Sequence, residues 1–300
     1  MTTGNKDILS ARAEAPRVAT LLESAIRDIG IPSRPSILDR INAEMHKDEP
    51  DFHHLAHIIA SDVGLGAGLI SIANSPYFGF RGRARSVNEA LMMLGLDVAS
   101  RAIAGMILRK LFPPSPALDR FWHASAIIAR LSGWLAQQTA NGSRVRADDA
   151  YTFGLFRDCG IPILLNRFPN YPNVLKNANG ERELSFTAVE EIECPTNHAV
   201  LGSMLAQSWW LPEEICLAIR HHHDYAVLRQ QEGSAVLPAA SLGLIATAQF
   251  AEHLLQHHTG LSKTHEWDKA GAVCLELLKI EDKDMQSVYE ESAFVIASEN

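Results

Sequence analysis

The chain has 300 residues, of which 47% are hydrophobic, and a formal net charge of −8. Its length allows one large hydrophobic core or two of medium size. The negative charge argues against general binding to nucleic acid or anionic membrane, both of which need surplus basic surface. The start of the chain is polar and lacks an apolar signal core, and no stretch reaches the roughly 18–20 apolar residues that span a bilayer. We therefore predict a cytoplasmic protein that binds neither nucleic acid nor membrane.

Hydrophobic periodicity predicts helices in the N-terminal third. Apolar residues recur at steps of three and four, and no alternating strand pattern competes with them. The clearest runs are Ile37, Leu38, Ile41 and Met45; Leu55, Ile58 and Ile59; and Leu65, Leu69 and Ile72.

A capping box marks the start of the next predicted helix. The Ser86 hydroxyl can accept from the backbone of Glu89 while the Glu89 side chain reaches back, and Gly95 ends the helix after Leu94. A further helix is predicted over 97–111. It stops at three prolines, which lack the backbone donor that a helix needs: Pro113, Pro114 and Pro116.

The proline segment divides the chain into two helical halves. The second half shows helical patterns over about 119–140, 148–167, 185–193, 197–210, 212–222, 239–255 and 269–278. The predicted fold class is all-α, with a bundle of short N-terminal helices packed on a C-terminal helical bundle.

The four cysteines are far apart and form no CxxC pair. This spacing gives no zinc-ribbon or redox signal, so buried, reduced thiols are expected. Cys159 directly follows Asp158, which would place it near any chemistry at that carboxylate.

Histidines and one aspartate recur along the helical second half in a pattern that suits a metal centre between helices. They are His123, Asp158, His198, His222 and His223. Arg157 precedes Asp158, and a guanidinium offers only N–H groups, so it cannot ligate a metal.

An ordered series of short motifs resembles the HDOD domain, the HD-related output domain of bacterial signalling, over roughly residues 20–255. The motifs are Ile59-Ala-Ser-Asp-Val, the stretch from Leu69 to Gly79, Ser86 with Glu89-Ala-Leu, Leu94-Gly95, Phe121-Trp-His-Ala-Ser, Gly154 to Gly160, His198 with Gly202, Trp210-Leu-Pro and His222-His223. The resemblance implies an N-terminal extension over 1–19, an N-terminal subdomain over 20–116, an HD-like subdomain over 117–258 and a helical tail over 259–300.

That family is related to HD-type metal phosphohydrolases, whose ligands are a His, a His-Asp doublet and a late Asp. The resemblance implies that His123 matches the first ligand and Asp158 the Asp of the doublet, with Arg157 in place of its His. His198, His222 and His223 match additional histidines. Gln249 stands where the late Asp is expected, and Pro162 where a Lys is usual.

These replacements predict a degenerate metal site. Arg157 would place a fixed positive charge where the metal's charge would be and pair with Asp158. No cofactor is then expected, and His123 becomes a buried, hydrogen-bonded histidine. The alternative is a surviving site for iron, manganese or zinc on Asp158 and the later histidines.

A second candidate site is a basic loop. Arg81, Arg83 and Arg85 alternate there, which suits either contact with a phosphate or acidic partner, or simple solvation.

Two functions follow as expectations. The first is a non-catalytic signal-transduction module that binds a signalling protein or a small ligand such as a nucleotide, with homo-oligomerisation possible. The second is a residual metal-dependent phosphohydrolase acting on a nucleotide or other phosphoester.

Overall fold

The computed structural model describes residues 30–75, 78, 80, 82–138, 145–231, 233–261 and 263–297. The regular structure of these residues is helical throughout, with no strand among them. The all-α prediction is therefore confirmed. The predicted extension over 1–19 lies outside the described residues.

Five helices are described in the N-terminal bundle: α1 (Ser36–Met45), α2 (Phe52–Ala60), α3 (Val63–Ala73), α4 (Val87–Leu94) and α5 (Leu96–Lys110). Side-chain caps start three of them, because Asp51, Asp62 and Ser86 each accept from the backbone N–H three residues later. The predicted Ser86 cap is present, and the Glu89 side chain reaches back one residue beyond it, with Oε2 accepting from the backbone N–H of Arg85 at 2.7 Å.

Eleven further helices are described after the proline segment. They are α6 (Pro116–Gln138), α7 (Ala147–Phe156), α8 (Gly160–Arg167), α9 (Tyr171–Gly180), α10 (Phe186–Glu193), α11 (His198–Ser208), α12 (Glu213–His221), α13 (Tyr225–Leu228), α14 (Ala239–Thr259), α15 (Glu266–Leu278) and α16 (Asp282–Ala297). The long helix α6 packs along α7 and α14, and its buried face supplies much of the core of this half.

The two halves pack closely where α5 meets α7. A Cβ built at Gly105 would lie 2.4 Å from Cδ2 of Leu155, so a larger residue at this position would force the Leu155 side chain to move. This contact agrees with the predicted packing of the N-terminal bundle on the C-terminal one. The subdomain limits drawn from the sequence remain a prediction.

The single helix predicted over 148–167 is wrong, since it is interrupted between Phe156 and Gly160. Pro162 explains the break, because a continuous helix would need a backbone N–H there to bond the carbonyl of Asp158. The proline instead occupies the first turn of α8, where that donor is not needed. The interruption forms the turn that carries Arg157 and Asp158.

Among the described residues, no single helix combines the length and apolar character needed to cross a bilayer. Helices α4 and α5 reach that length only together, and they are bent by 117° relative to each other.

Candidate metal and ligand-binding site

Asp158, His198, His222 and His223 come together at one point of the C-terminal half. Each offers one ligand atom, and these atoms all lie within 4.8 Å of one another. Asp158 lies in the turn between α7 and α8, His198 begins α11, and the two other histidines follow α12. We call these four residues the His/Asp cluster.

A direct backbone contact between Gly160 and His198 positions His198. A Cβ at Gly160 would lie 2.1 Å from the backbone oxygen of His198, so α8 and α11 meet backbone to backbone. Asn197 caps α11 by accepting from the N–H of Val200 at 2.8 Å. The start of α11 is therefore fixed beside the turn that holds Asp158.

All three histidines of the cluster are anchored through Nδ1. His198 Nδ1 donates to Glu190 Oε2 at 2.7 Å, and His223 Nδ1 donates to Glu266 Oε2 at 2.5 Å. His222 Nδ1 donates to the carbonyl of Ile219 at 2.7 Å. Each Nε2 is consequently left for another partner.

The remaining nitrogens of two histidines meet the Asp158 carboxylate. His222 Nε2 lies 3.2 Å and His198 Nε2 3.5 Å from Asp158 Oδ1, and the two nitrogens are 3.1 Å apart. Phe186 packs beside the group, with its ring stacked on His223 at 5.1 Å between centroids. The cluster is thus closely packed and largely shielded from solvent.

Burial and neighbouring charges separate the pKa values of two histidines. Burial alone would lower the pKa of His198, but Glu190 and Asp158 raise it to about 10. Burial and the neighbouring His223 lower the pKa of His222 to about 3. His222 therefore keeps a lone pair on Nε2, since its proton is on Nδ1.

Arg157 points into the structure and is only 3% exposed. Its Nε donates to Asp158 Oδ2 and its Nη2 to Glu252 Oε2, both at 2.9 Å. Nη1 is buried and has no hydrogen-bond partner. The ion pair with Asp158 is present as the sequence predicted.

The two oxygens of Asp158 have different partners. Oδ2 meets Arg157, whereas Oδ1 faces His198 and His222. Burial opposes ionisation, but Arg157 and the histidines hold the pKa of Asp158 well below its usual value. Arg157 therefore leaves one carboxylate oxygen facing the histidines.

The charged side chains around the cluster do not balance. Asp158, Glu190, Glu252 and Glu266 carry four negative charges, while Arg157 and Lys269, which is 2.9 Å from Glu266, carry two positive ones. Protonated His198, whose pKa is about 10, leaves one negative charge; loss of its proton on metal binding would leave two, which equals the charge of one divalent cation.

The donor set fits such a cation. Histidines that ligate metals usually donate their other ring N–H to a carboxylate or a carbonyl, as all three do here. Imidazole nitrogens with one carboxylate oxygen suit zinc, iron and manganese. Asp158, His198, His222 and His223 would hold the ion.

His123 does not join the cluster, and its predicted roles as a ligand and as a buried histidine are corrected here. It lies on an exposed face of α6. The neighbouring residues Ala124 and Ser125 are buried and face the cluster's pocket instead. A one-residue step turns a helix by about 100°, so His123 projects in another direction.

The sequence did not identify the three carboxylates that support the cluster: Glu190, Glu252 and Glu266. Gln249, which was expected at the late Asp position, is buried and donates to the carbonyl of His222 at 3.4 Å. Glu252 lies one turn later on α14 and is the carboxylate that reaches Arg157. Its position within an otherwise apolar run was the available signal.

The cluster opens into a pocket of about 440 Å³. Arg120, Arg157 and Lys176 contribute positive charge to its lining, and Phe121 and Phe186 contribute aromatic surface.

Cys159 is buried, and burial raises the pKa of its thiol, so it is not poised as a nucleophile. All four cysteines are buried and unpaired, as predicted.

The family model for the HDOD domain matches residues 31–225. The chain belongs to the HDOD family. An uncharacterized protein of Treponema pallidum (strain Nichols) is 26% identical over 220 residues, which is 72% of this chain and 42% of that protein. The chain therefore spans less than half the length of this relative.

Solved structures of three bacterial proteins have a similar fold. A proposed metal-dependent phosphohydrolase of Shewanella amazonensis SB2B is 18% identical, with a TM-score of 0.63 and coverage of 93% of this chain and 98% of that one. An HDOD domain protein of unknown function from Geobacter sulfurreducens is 21% identical, with a TM-score of 0.56 and coverage of 88% of this chain and 93% of that one. A proposed signal transduction protein from Marinobacter aquaeolei VT8 is 20% identical, with a TM-score of 0.64 and coverage of 91% of this chain and 59% of that one.

Proposed function

We propose that this HDOD protein is a regulatory module that acts by binding at the pocket of the His/Asp cluster and does not turn over a phosphoester. The observation that carries the proposal is the buried Arg157, which holds both Asp158 and Glu252. The module binds a signalling protein or a small ligand, and the proposal includes self-association of the chain.

The guanidinium occupies the groups that hydrolysis would use. A phosphohydrolase needs a base that accepts a proton from the attacking water. Asp158 is a weak base because its pKa lies well below the usual value, and Glu252 is already an acceptor for Arg157. The pocket retains polar groups for binding, but its carboxylates are poorly suited to proton transfer.

The comparisons support a regulatory role without naming an input. One protein of similar fold is described as a proposed signal transduction protein, and another is an HDOD domain protein of unknown function. At 20% and 21% identity they share the fold, and the binding partner of this chain is inferred only from its own pocket.

A residual metal-dependent phosphohydrolase is the second candidate. The anchoring of three histidines through Nδ1 favours it, since this is the arrangement of metal-ligating histidines. A divalent cation bound there would polarise a phosphoester and acidify water. The buried Nη1 of Arg157 would donate to a phosphate oxygen, and Arg120 and Lys176 would attract the anion to the pocket.

Turnover distinguishes the two candidates. Protein loaded separately with manganese, iron(II) or zinc is assayed with p-nitrophenyl phosphate and bis(p-nitrophenyl) phosphate. We expect no turnover above that of the His198→Ala variant. Turnover that His198→Ala abolishes and His123→Ala preserves would contradict the proposal and establish the second candidate.

A further inference from the structure

A second pocket lies between the two halves of the molecule, away from the His/Asp cluster. Its volume is about 700 Å³, within the range of small-molecule sites. Helices α3 and α5 contribute residues from the N-terminal bundle, and α6 and α7 contribute residues from the C-terminal half. We call it the arginine cleft.

The lining of the cleft is positively charged. Arg83, Arg109 and Arg130 line it, and none of the described lining residues is Asp or Glu. Arg83 and Arg109 are exposed and form no ion pair with any described residue. In a chain with a net charge of −8, the two exposed arginines, Arg83 and Arg109, make a local site for an anion.

The position of Arg83 is fixed by its neighbour in the chain. The Asn74 side chain donates to the carbonyl of Ala84 at 2.9 Å and accepts from the N–H of Ala84 at 2.7 Å. This pair of bonds holds the segment beside the end of α3. Arg83 is therefore presented to the cleft by a fixed backbone.

Of the three arginines in the predicted basic loop, Arg83 lines the cleft, Arg85 does not, and Arg81 lies outside the described residues.

Aromatic rings form another part of the lining. Phe78 and Tyr151 have ring centroids 6.0 Å apart, and the buried Trp122 also lines the cleft. Burial raises the pKa of Tyr151, so its hydroxyl stays neutral and can donate a hydrogen bond. Guanidinium groups bind phosphate, and aromatic faces bind a planar ring.

We propose that the arginine cleft binds a nucleotide, with Arg83 and Arg109 on its phosphate and the aromatic lining against its base. This site is separate from the His/Asp cluster, and the inference holds whether or not that cluster binds a metal. A ligand here would contact both helical halves at once.

Calorimetric titration tests the proposal, with AMP, GMP, ATP and GTP as nucleotide probes. Adenosine and guanosine test the two parts of the ligand without phosphate, namely base and sugar, and inorganic phosphate tests the phosphate part alone. We expect at least one nucleotide to bind with a Kd below about 1 mM, and the separate parts to bind at least tenfold more weakly. If no nucleotide binds, the proposal is wrong. If inorganic phosphate binds as tightly as the best nucleotide, the assignment of the base to the aromatic lining is wrong.

Matched variants locate the binding. Arg83→Gln and Arg109→Gln should each weaken the best nucleotide by roughly tenfold or more, since each removes a charged hydrogen bond. Arg85→Gln, an exposed arginine two residues away that does not line the cleft, should change the affinity by less than about threefold. Equal losses in Arg83→Gln and Arg85→Gln would overturn the assignment to this cleft. Urea unfolding of each variant confirms that it is folded.

Discussion

Arg157 and Asp158 are consecutive residues whose side chains form an ion pair, with 2.9 Å between Nε and Oδ2, while Oδ1 faces two histidines. The Asp158 carboxylate thus contacts both a permanently charged guanidinium and two histidines of the kind that ligate metal ions. Substitutions at Arg157 and at the histidines therefore separate the structural role of the cation from the binding role of the histidines.

Replacing Arg157 by methionine should destabilise the protein. The variant leaves Asp158 and Glu252 without their cation, and breaking a buried ion pair in this way costs about 3–5 kcal/mol. The free energy of unfolding is measured in urea. Arg120→Met, at an exposed position of the same pocket, should cost less than about 0.5 kcal/mol.

A double variant tests the explanation of that loss. Adding Glu252→Gln to Arg157→Met removes one of the two unpaired charges, so part of the lost stability should return. Additive losses would show that the ion pair is not the cause.

Metal binding should depend on His198 and not on His123. Zinc added to chelator-treated protein should raise the melting temperature, because a ligand of the folded state stabilises it. His198→Ala should abolish this increase, since it removes one of four donors, whereas His123→Ala should retain it. Metal content after dialysis provides a second measurement. Loss of zinc in His123→Ala would contradict the ligand set described above.

Gly160→Ala should destabilise the fold by about 2 kcal/mol or more, because the new methyl group overlaps the backbone oxygen of His198. Gly180→Ala is the matched control. A Cβ there meets no atom within 4 Å, so the expected change is neutral or stabilising by up to about 1 kcal/mol. Urea unfolding measures both variants. Similar stabilities for the two would refute the close contact between α8 and α11.

Acid should weaken the packing around His253. This ring stacks on Trp267 with 4.4 Å between centroids and accepts or donates a hydrogen bond at the Tyr289 hydroxyl, 2.8 Å away. Burial and the nearby His257 lower its pKa from 6.5 to about 4. Between these two values the unfolded chain binds the proton and the folded chain does not. The contribution of His253 is therefore complete above pH 6.5 and is lost as the pH falls toward 4.

His253→Phe keeps a stacked ring without the titration. The wild type should lose more stability than this variant between pH 7 and pH 4.5, by on the order of 1 kcal/mol after allowance for partial exposure. The comparison uses urea unfolding at each pH. Parallel pH profiles for the two proteins would assign the acid sensitivity to other groups.

Local signals in the sequence predicted the helices well. The capping box at Ser86 and Glu89 depends on residues three apart, and the proline segment ends a helix wherever it occurs. The interruption at 157–159 was missed because the apolar pattern continues through it. The missing backbone N–H of Pro162 decided the structure there.

The site was predicted less completely than the fold. Asp158 and the three later histidines lie together in the structure, but the face of α6 that meets them depends on packing, which placed Ala124 rather than His123 there. Glu190 and Glu266 come from helices whose proximity to the histidines depends on tertiary structure. Their roles could not be read from sequence spacing.

The contact at Gly160 has a mechanical consequence. Side chains between two helices can change rotamer and absorb a displacement, whereas backbone atoms in direct contact cannot. Helices α8 and α11 should therefore shift together as a rigid pair. A ligand that pulls on His198 at one end of this pair would move the far end of α8, at Arg167, by the same rotation.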